Sequence, residues 1–257
     1  IHSPGYISIE NPWNPSEPTI FRDNNVHGWT NMREAIAVSS NVYFYAIGGG
    51  YEGQRGLGIE KIKEYLQLFG MGSRTEIDLR SEKEGFIPDK DWKKESLGVA
   101  WNIGDTYNTS IGQGYLSTTP IQIAMAYSVI ANGGKLLVPT LLKGVVDDKG
   151  EVIKENKPQI IREDFIKAEN LKEVKEGMYQ TTVIGTAQSL SSLPVKVGAK
   201  TGTAQISKPG HYHNWITVFA PFDEPEIVIT IIIEEVEGVR AATIPLARNV
   251  LEWYFKN

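Results

Sequence analysis

Gly198-Ala199-Lys200-Thr201-Gly202-Thr203-Ala204-Gln205, then Asn214-Trp215-Ile216-Thr217-Val218-Phe219-Ala220-Pro221-Phe222, then Glu226-Ile227-Val228-Ile229-Thr230-Ile231-Ile232-Ile233-Glu234-Glu235 are the stretches that decide the fold. The second and third runs are rich in β-branched residues, and Asp223-Glu224-Pro225 between them is a turn signal, so they read as an antiparallel pair. The first run, led in by Val195, Val197 and Gly198, lies on or beside a strand next to that pair. Ile227 to Ile233 is apolar almost without alternation, which predicts cover on both faces of the strand. The closing helix, Thr243 to Phe255, is a natural cover for one of them.

Upstream the texture is helical. Asn31 and Glu34 have capping-box spacing, and Met32, Ala35 and Ile36 supply the apolar stripe of a helix that runs into Ser39-Ser40-Asn41. Val42 to Ile47 is stopped by Gly48-Gly49-Gly50, and Ile59, Ile62, Leu66 and Phe69 recur at helical spacing before Gly70. Thr119-Pro120 reads as an N-cap with proline at the first helical position, and Asn132-Gly133-Gly134 ends that helix. Leu171, Val174 and Met178 mark another. The first thirty residues, with Pro4, Pro12, Pro15 and Pro18, read as an irregular surface segment or inserted loop in which little chemistry is visible. The expected class is α+β, an antiparallel sheet with helices on both faces plus a helical subdomain. Its helix-rich part spans about 29–190, and its sheet strands and closing helix span about 193–257.

Composition removes several function classes. With 257 residues and 41% apolar content the chain can bury a core. A formal net charge of -5, with scattered Lys and Arg, lacks the basic footprint of a nucleic-acid binder. Zero cysteines exclude a disulfide framework, a thiol nucleophile and a thiolate-held metal. The longest strongly apolar run, Ile227 to Ile233, is far shorter than the roughly 20 residues of a membrane helix, so the chain itself reads as soluble.

Two local patterns could carry chemistry. In Lys200-Thr201-Gly202-Thr203 a lysine and two hydroxyls flank a glycine. Gly202 admits a ligand backbone, the Thr203 amide can donate to a developing oxyanion, and the hydroxyls can hold a carboxylate. In Ser39-Ser40-Asn41, Ser39 and Asn41 stand two apart at a helix end, a spacing that favours a turn with both side chains facing one cleft, although a plain helix cap gives the same pattern. Weaker patterns fail. Gly48-Gly49-Gly50-Tyr51-Glu52-Gly53 fits Gly-x-Gly-x-x-Gly but follows a helix, so it reads as a loop rather than a dinucleotide site. Asp23 with His27, and His211 with His213, lack further ligands at a recognisable spacing, so no metal and no cofactor are assigned. No Gly-x-Ser-x-Gly elbow accompanies the four histidines.

The Ser-x-Asn and Lys-Thr-Gly motifs are two of the three parts of the penicillin-binding protein and β-lactamase signature, in its order. The wider context resembles the class B penicillin-binding proteins, especially the elongation-type group called penicillin-binding protein 2. The matching stretches are Ser39-Ser40-Asn41-Val42-Tyr43-Phe44, Gly104 to Gly114, Thr119-Pro120-Ile121-Gln122, Lys200 to Gln205, and His213-Asn214-Trp215 through Phe219-Ala220-Pro221.

That resemblance implies the transpeptidase fold with its N-terminal part missing, and a serine acyl-transfer activity on peptidoglycan stem peptides, with β-lactams as substrate mimics. It implies that Lys200 lies in the cleft, that Thr201 and Thr203 bind the substrate carboxylate beside Gly202, and that the Thr203 amide is half of the oxyanion hole. Asn41 would hold an amide of the donor peptide and Ser39 would relay a proton. A membrane glycan polymerase is the implied partner. The parent is expected to be anchored in the bacterial cytoplasmic membrane with this domain on the outer side.

The third part of the signature, Ser-x-x-Lys, does not occur in the 257 residues, so the nucleophile is not in this chain. Either the chain begins after that motif or the member has lost it. D,D-carboxypeptidase or β-lactamase-like hydrolysis, and a non-catalytic scaffold module, are the competing readings. The Gly-Gln-Gly and Thr-Pro-Ile-Gln context favours transpeptidation.

Overall fold

The computed structural model describes residues 1–11, 14–238 and 241–256, so Pro12 lies outside the described residues. The chain opens with four short strands, β1 (His2–Ser3), β2 (Tyr6–Ile9), β3 (Thr19–Arg22) and β4 (Gly28–Trp29), paired antiparallel as β1 with β4 and β2 with β3. This corrects the expectation of an irregular surface loop. Ile7 is fully buried and packs with Val42, Tyr45 and Tyr107, with Phe21 against them, so the segment is part of a core. Its strands are too short for a period-2 pattern to stand out.

Six helices follow: α1 (Met32–Val38), α2 (Asn41–Gly49), α3 (Ile59–Leu68), α4 (Lys90–Leu97), α5 (Ile103–Ser110) and α6 (Pro120–Ala131). Their starts are set by local chemistry. Asn31 and Glu34 close a capping box on α1, as do Thr119 and Gln122 on α6, where Pro120 occupies the first turn at no hydrogen-bond cost. The triple glycine ends α2 at Gly50, and Gly70 follows the α3 cap with φ 87°. Gln122, fully buried, also donates to the carbonyls of Ser73 and Glu84 at 2.8 and 2.7 Å, which pins the loop after α3 to α6.

After α6 the chain makes β5 (Leu136–Leu137), β6 (Gly144–Val146), β7 (Val152–Glu155) and β8 (Ile160–Arg162), paired as β5 with β8 and β6 with β7. Helix α7 (Ala168–Val183) and a 3-10 turn (Gln188–Ser192) lead into β9 (Gly198–Gln205), β10 (His211–Ala220) and β11 (Ile227–Glu237), and α8 (Thr243–Lys256) closes the chain. The three long strands form one antiparallel sheet in the order β11-β10-β9, with Trp215 opposite Gly202 and Ile232.

Helices cover both faces of this sheet. On one, Val197, Ala199, Ile216, Val218 and Ala220 pack on Leu190, Ala247 and Leu251 from the 3-10 turn and α8. On the other, Phe219 meets Ile36, Ala131 and Met178 from α1, α6 and α7. The continuous apolar run of β11 follows from this arrangement. Ile227, Ile229 and Ile231 face the α8 side while Val228 faces the α6–α7 side, so neither face can be polar. Being an edge strand, β11 keeps these side chains half-buried.

Candidate functional site

The break between α1 and α2 places Ser39. Its backbone is left-handed (φ 57°, ψ 48°), a conformation costing a non-glycine residue about 1–2 kcal/mol, and the turn points its hydroxyl across to β9. There the Lys200 ammonium donates to Ser39 Oγ and, at 2.8 Å, to its neighbour's carbonyl, Thr201 O. Lys200 keeps some exposure to a cavity yet is surrounded by protein on its other sides. Burial disfavours its charged form and lowers its pKa to about 8.

That cavity holds about 440 Å³ and is bounded by α2, α3, the α5–α6 region and β9. Phe44, Ile47, Ile123 and Tyr127 give it an apolar wall, while Lys200 to Ala204 supply a polar edge. Burial raises the Tyr127 phenol to about 12, so it stays neutral. Thr201, Gly202 and Thr203 all line the cavity, and a side chain at Gly202 would crowd Trp215, with its Cβ 3.3 Å from that of the tryptophan. Asn41 is not among the lining residues. Its side-chain amide donates to the Arg22 carbonyl at 3.3 Å and its backbone amide to Asp23 at 2.8 Å. Ser39 and Lys200 are therefore brought into direct contact from 161 residues apart, whereas Asn41 is held against the N-terminal strands.

Three further groups support the site; Gln113 stands in the Gly-Gln-Gly stretch already singled out, while Thr186 and Asp23 belong to no motif. Gln113 Nε2 donates to Thr203 O at 3.1 Å, tying the loop after α5 to the polar edge. Thr186 Oγ1 lies 2.6 Å from Thr201 Oγ1, so one hydroxyl orients the other. Asp23 caps the start of α2 from 18 residues away, and a search for contiguous motifs passes over such a contact. Among the described residues no group of three or more His, Cys, Asp or Glu could hold a metal.

Residues 7–252 match the penicillin binding protein transpeptidase domain family, and the chain belongs to it. Within that family its relatives include proteins of the penicillin-binding protein 2 type. The peptidoglycan D,D-transpeptidase MrdA of Haemophilus influenzae is 31% identical over 99% of this chain, which spans 40% of that relative's length. The structure of penicillin-binding protein PBP2 from Helicobacter pylori superposes with a TM-score of 0.80 at 31% identity, covering 100% of this chain and 44% of that one. A structure described as the structural coordination of polymerization and crosslinking by a peptidoglycan synthase complex gives a TM-score of 0.76 at 27% identity, over 99% of this chain and 42% of its own. Among the described residues no helix is long and apolar enough to cross a membrane.

Proposed function

We propose that this chain is the part of a peptidoglycan D,D-transpeptidase domain that supplies its proton relay, oxyanion donor and carboxylate anchor, while the nucleophilic serine stands on another segment of the parent protein. The observation that carries the reading is the contact of Ser39 with Lys200, a residue that lines the same polar cavity edge as Thr201-Gly202-Thr203 although Ser39 itself does not line the cavity. In the parent reaction a serine hydroxyl would attack the penultimate carbonyl of a D-Ala-D-Ala stem peptide and D-Ala would leave with a proton. An amine of a neighbouring stem would then take the acyl group and return the serine. Each step develops negative charge on the carbonyl oxygen, which the Thr203 amide would receive.

Thr201 and Thr203 would hold the terminal carboxylate, with the Thr186 hydroxyl steadying Thr201. A lysinium whose pKa is lowered to about 8 gives up its proton more readily than an unperturbed one, which suits a relay in which Ser39 passes its hydroxyl proton to the leaving amine as it takes one from Lys200. Asn41 would meet the donor peptide's amide. The parent is membrane-anchored, works on the outer side of the cytoplasmic membrane and acts with a glycan polymerase, as the synthase-complex neighbour suggests.

The test is mass spectrometry after exposure to a fluorescent penicillin. The chain beginning at Ile1 should remain unmodified, because no Ser-x-x-Lys nucleophile occurs in residues 1–257 and Ser39, in contact with Lys200, is read as a relay rather than the attacking group. The parent protein should carry one penicilloyl group outside residues 1–257. A penicilloyl mass on the chain itself would show that the nucleophile had been misplaced.

A further inference from the structure

Asp23 follows β3, and its side chain is fully buried. Its two oxygens accept five hydrogen bonds. Oδ1 takes the amides of Asn24 and Asn41, both at 2.8 Å, and Oδ2 takes the hydroxyls of Ser40 (2.7 Å) and Ser3 (3.0 Å) and the amide of Val42 (3.0 Å). His27 Nε2 is 3.8 Å from Oδ1, and Ser3 and Ser40 also contact one another at 3.2 Å. Three of the five donors belong to Ser40-Asn41-Val42, the first turn of α2 directly after Ser39.

Ser40 already caps this helix locally by accepting from the Tyr43 amide at 3.3 Å. Asp23 satisfies the two amides that Ser40 cannot reach, and its charge suits a helix N-terminus. It does so from the residue directly after β3, so it fixes the helix start against the N-terminal strands. Arg22, the adjacent residue, accepts from the Asn41 side chain through its carbonyl. Backbone and side chain of Asn41 are thus both held by Arg22-Asp23, and the strained turn at Ser39 lies one residue before the clamp.

We propose that Asp23 is a positioning residue for the Ser39-Ser40-Asn41 motif: it sets the direction of Asn41 and holds the left-handed turn that aims Ser39 at Lys200. This rests on the reading of Ser39 and Asn41 as groups that act on the peptide. A carboxylate accepts from all five donors. An asparagine in its place turns an amino group toward at least one of them, and the buried amide left facing it loses its partner.

The test uses the full-length parent protein. Asp23→Asn should lower the first-order rate of fluorescent-penicillin acylation about 10- to 100-fold, as displacement of a positioned group by an ångström does, with reversible binding within about twofold. Leu251→Ala, buried under α8 on the far side of the sheet, is the control. It should lower the melting temperature at least as much and leave acylation at the wild-type rate. An acylation rate in Asp23→Asn equal to wild type, or a loss matched by Leu251→Ala, overturns the proposal. Should Asp23→Asn fail to fold, Ser3→Ala removes one donor and leaves the carboxylate. A loss of about threefold in acylation then supports the proposal, and a wild-type rate overturns it. An unlabelled wild-type parent overturns the transpeptidase reading, and this proposal with it, whereas a labelled wild type isolates the role of Asp23.

Discussion

Lys200→Met in this chain tests the electrostatics of the site apart from its chemistry. Methionine keeps the length of the side chain and removes the amine, so the variant lacks one titration and little volume. Lowering a lysine from 10.5 to about 8 corresponds to about 3 kcal/mol at about 1.4 kcal/mol per pH unit. Solvent in the cavity beside Lys200 screens part of this, and we expect about 1–2 kcal/mol. Below pH 8 folded and unfolded chains both hold the proton, so the burial penalty is fully present and constant. Between pH 8 and 10.5 the unfolded chain keeps a proton that the folded chain releases, and wild-type stability rises relative to the variant. Urea unfolding of both proteins at steps from pH 7 to 10.5 gives this difference, with the titrations they share cancelling. Parallel stability curves over that range would show that Lys200 is solvated in the fold and would refute a burial-lowered pKa.

Two further outcomes follow from contacts outside the motifs. Lys93→Met should cost about 3 kcal/mol by urea unfolding, because Lys93 Nζ lies 2.5 Å from Asp105 Oδ2 in a pair with side chains only 6% and 12% exposed, and the variant leaves the buried carboxylate without its counter-charge. Gly185→Ala should cost at least about 2 kcal/mol by the same measurement, since a Cβ there would sit 2.1 Å from the Ala37 carbonyl oxygen and 2.8 Å from Thr181 Cα. Both contacts are backbone atoms that no rotamer change can move aside, so a neutral Gly185→Ala would mean that the α7 turn and the end of α1 are not packed as described.

What was legible in the sequence was whatever depends on near neighbours. Caps at Asn31 and Thr119, stops at Gly50 and Gly70, and the long β-branched strands all write their signal within a few residues. The N-terminal strands were missed because two to four residues cannot display a period, and because Ile7 becomes buried only when α2 and α5 arrive beside it. The same limit hid half of the site's support. Lys200, Thr201 and Ser39 are picked out by their motifs, whereas the sequence offers Asp23 only as half of a metal-ligand pair with His27. The five donors it serves come together only through tertiary closure.

The contact between Ser39 and Lys200 does not rest on one hydrogen bond. Gly185 packs its backbone on the Ala37 carbonyl, and the next residue, Thr186, donates its own amide to that carbonyl at 3.2 Å while its hydroxyl meets Thr201. One turn thus grips the end of α1 two residues before Ser39 and the strand one residue after Lys200. On the opposite side Gln113 grips Thr203. A shift of β9 relative to α1 would have to break these ties together, so the separation of the two halves is fixed by neutral contacts that do not titrate. The charge on Lys200 is then free to change with its proton without moving the strand that carries Thr201 and Thr203, which is what the proposed proton relay beside the proposed carboxylate anchor would require.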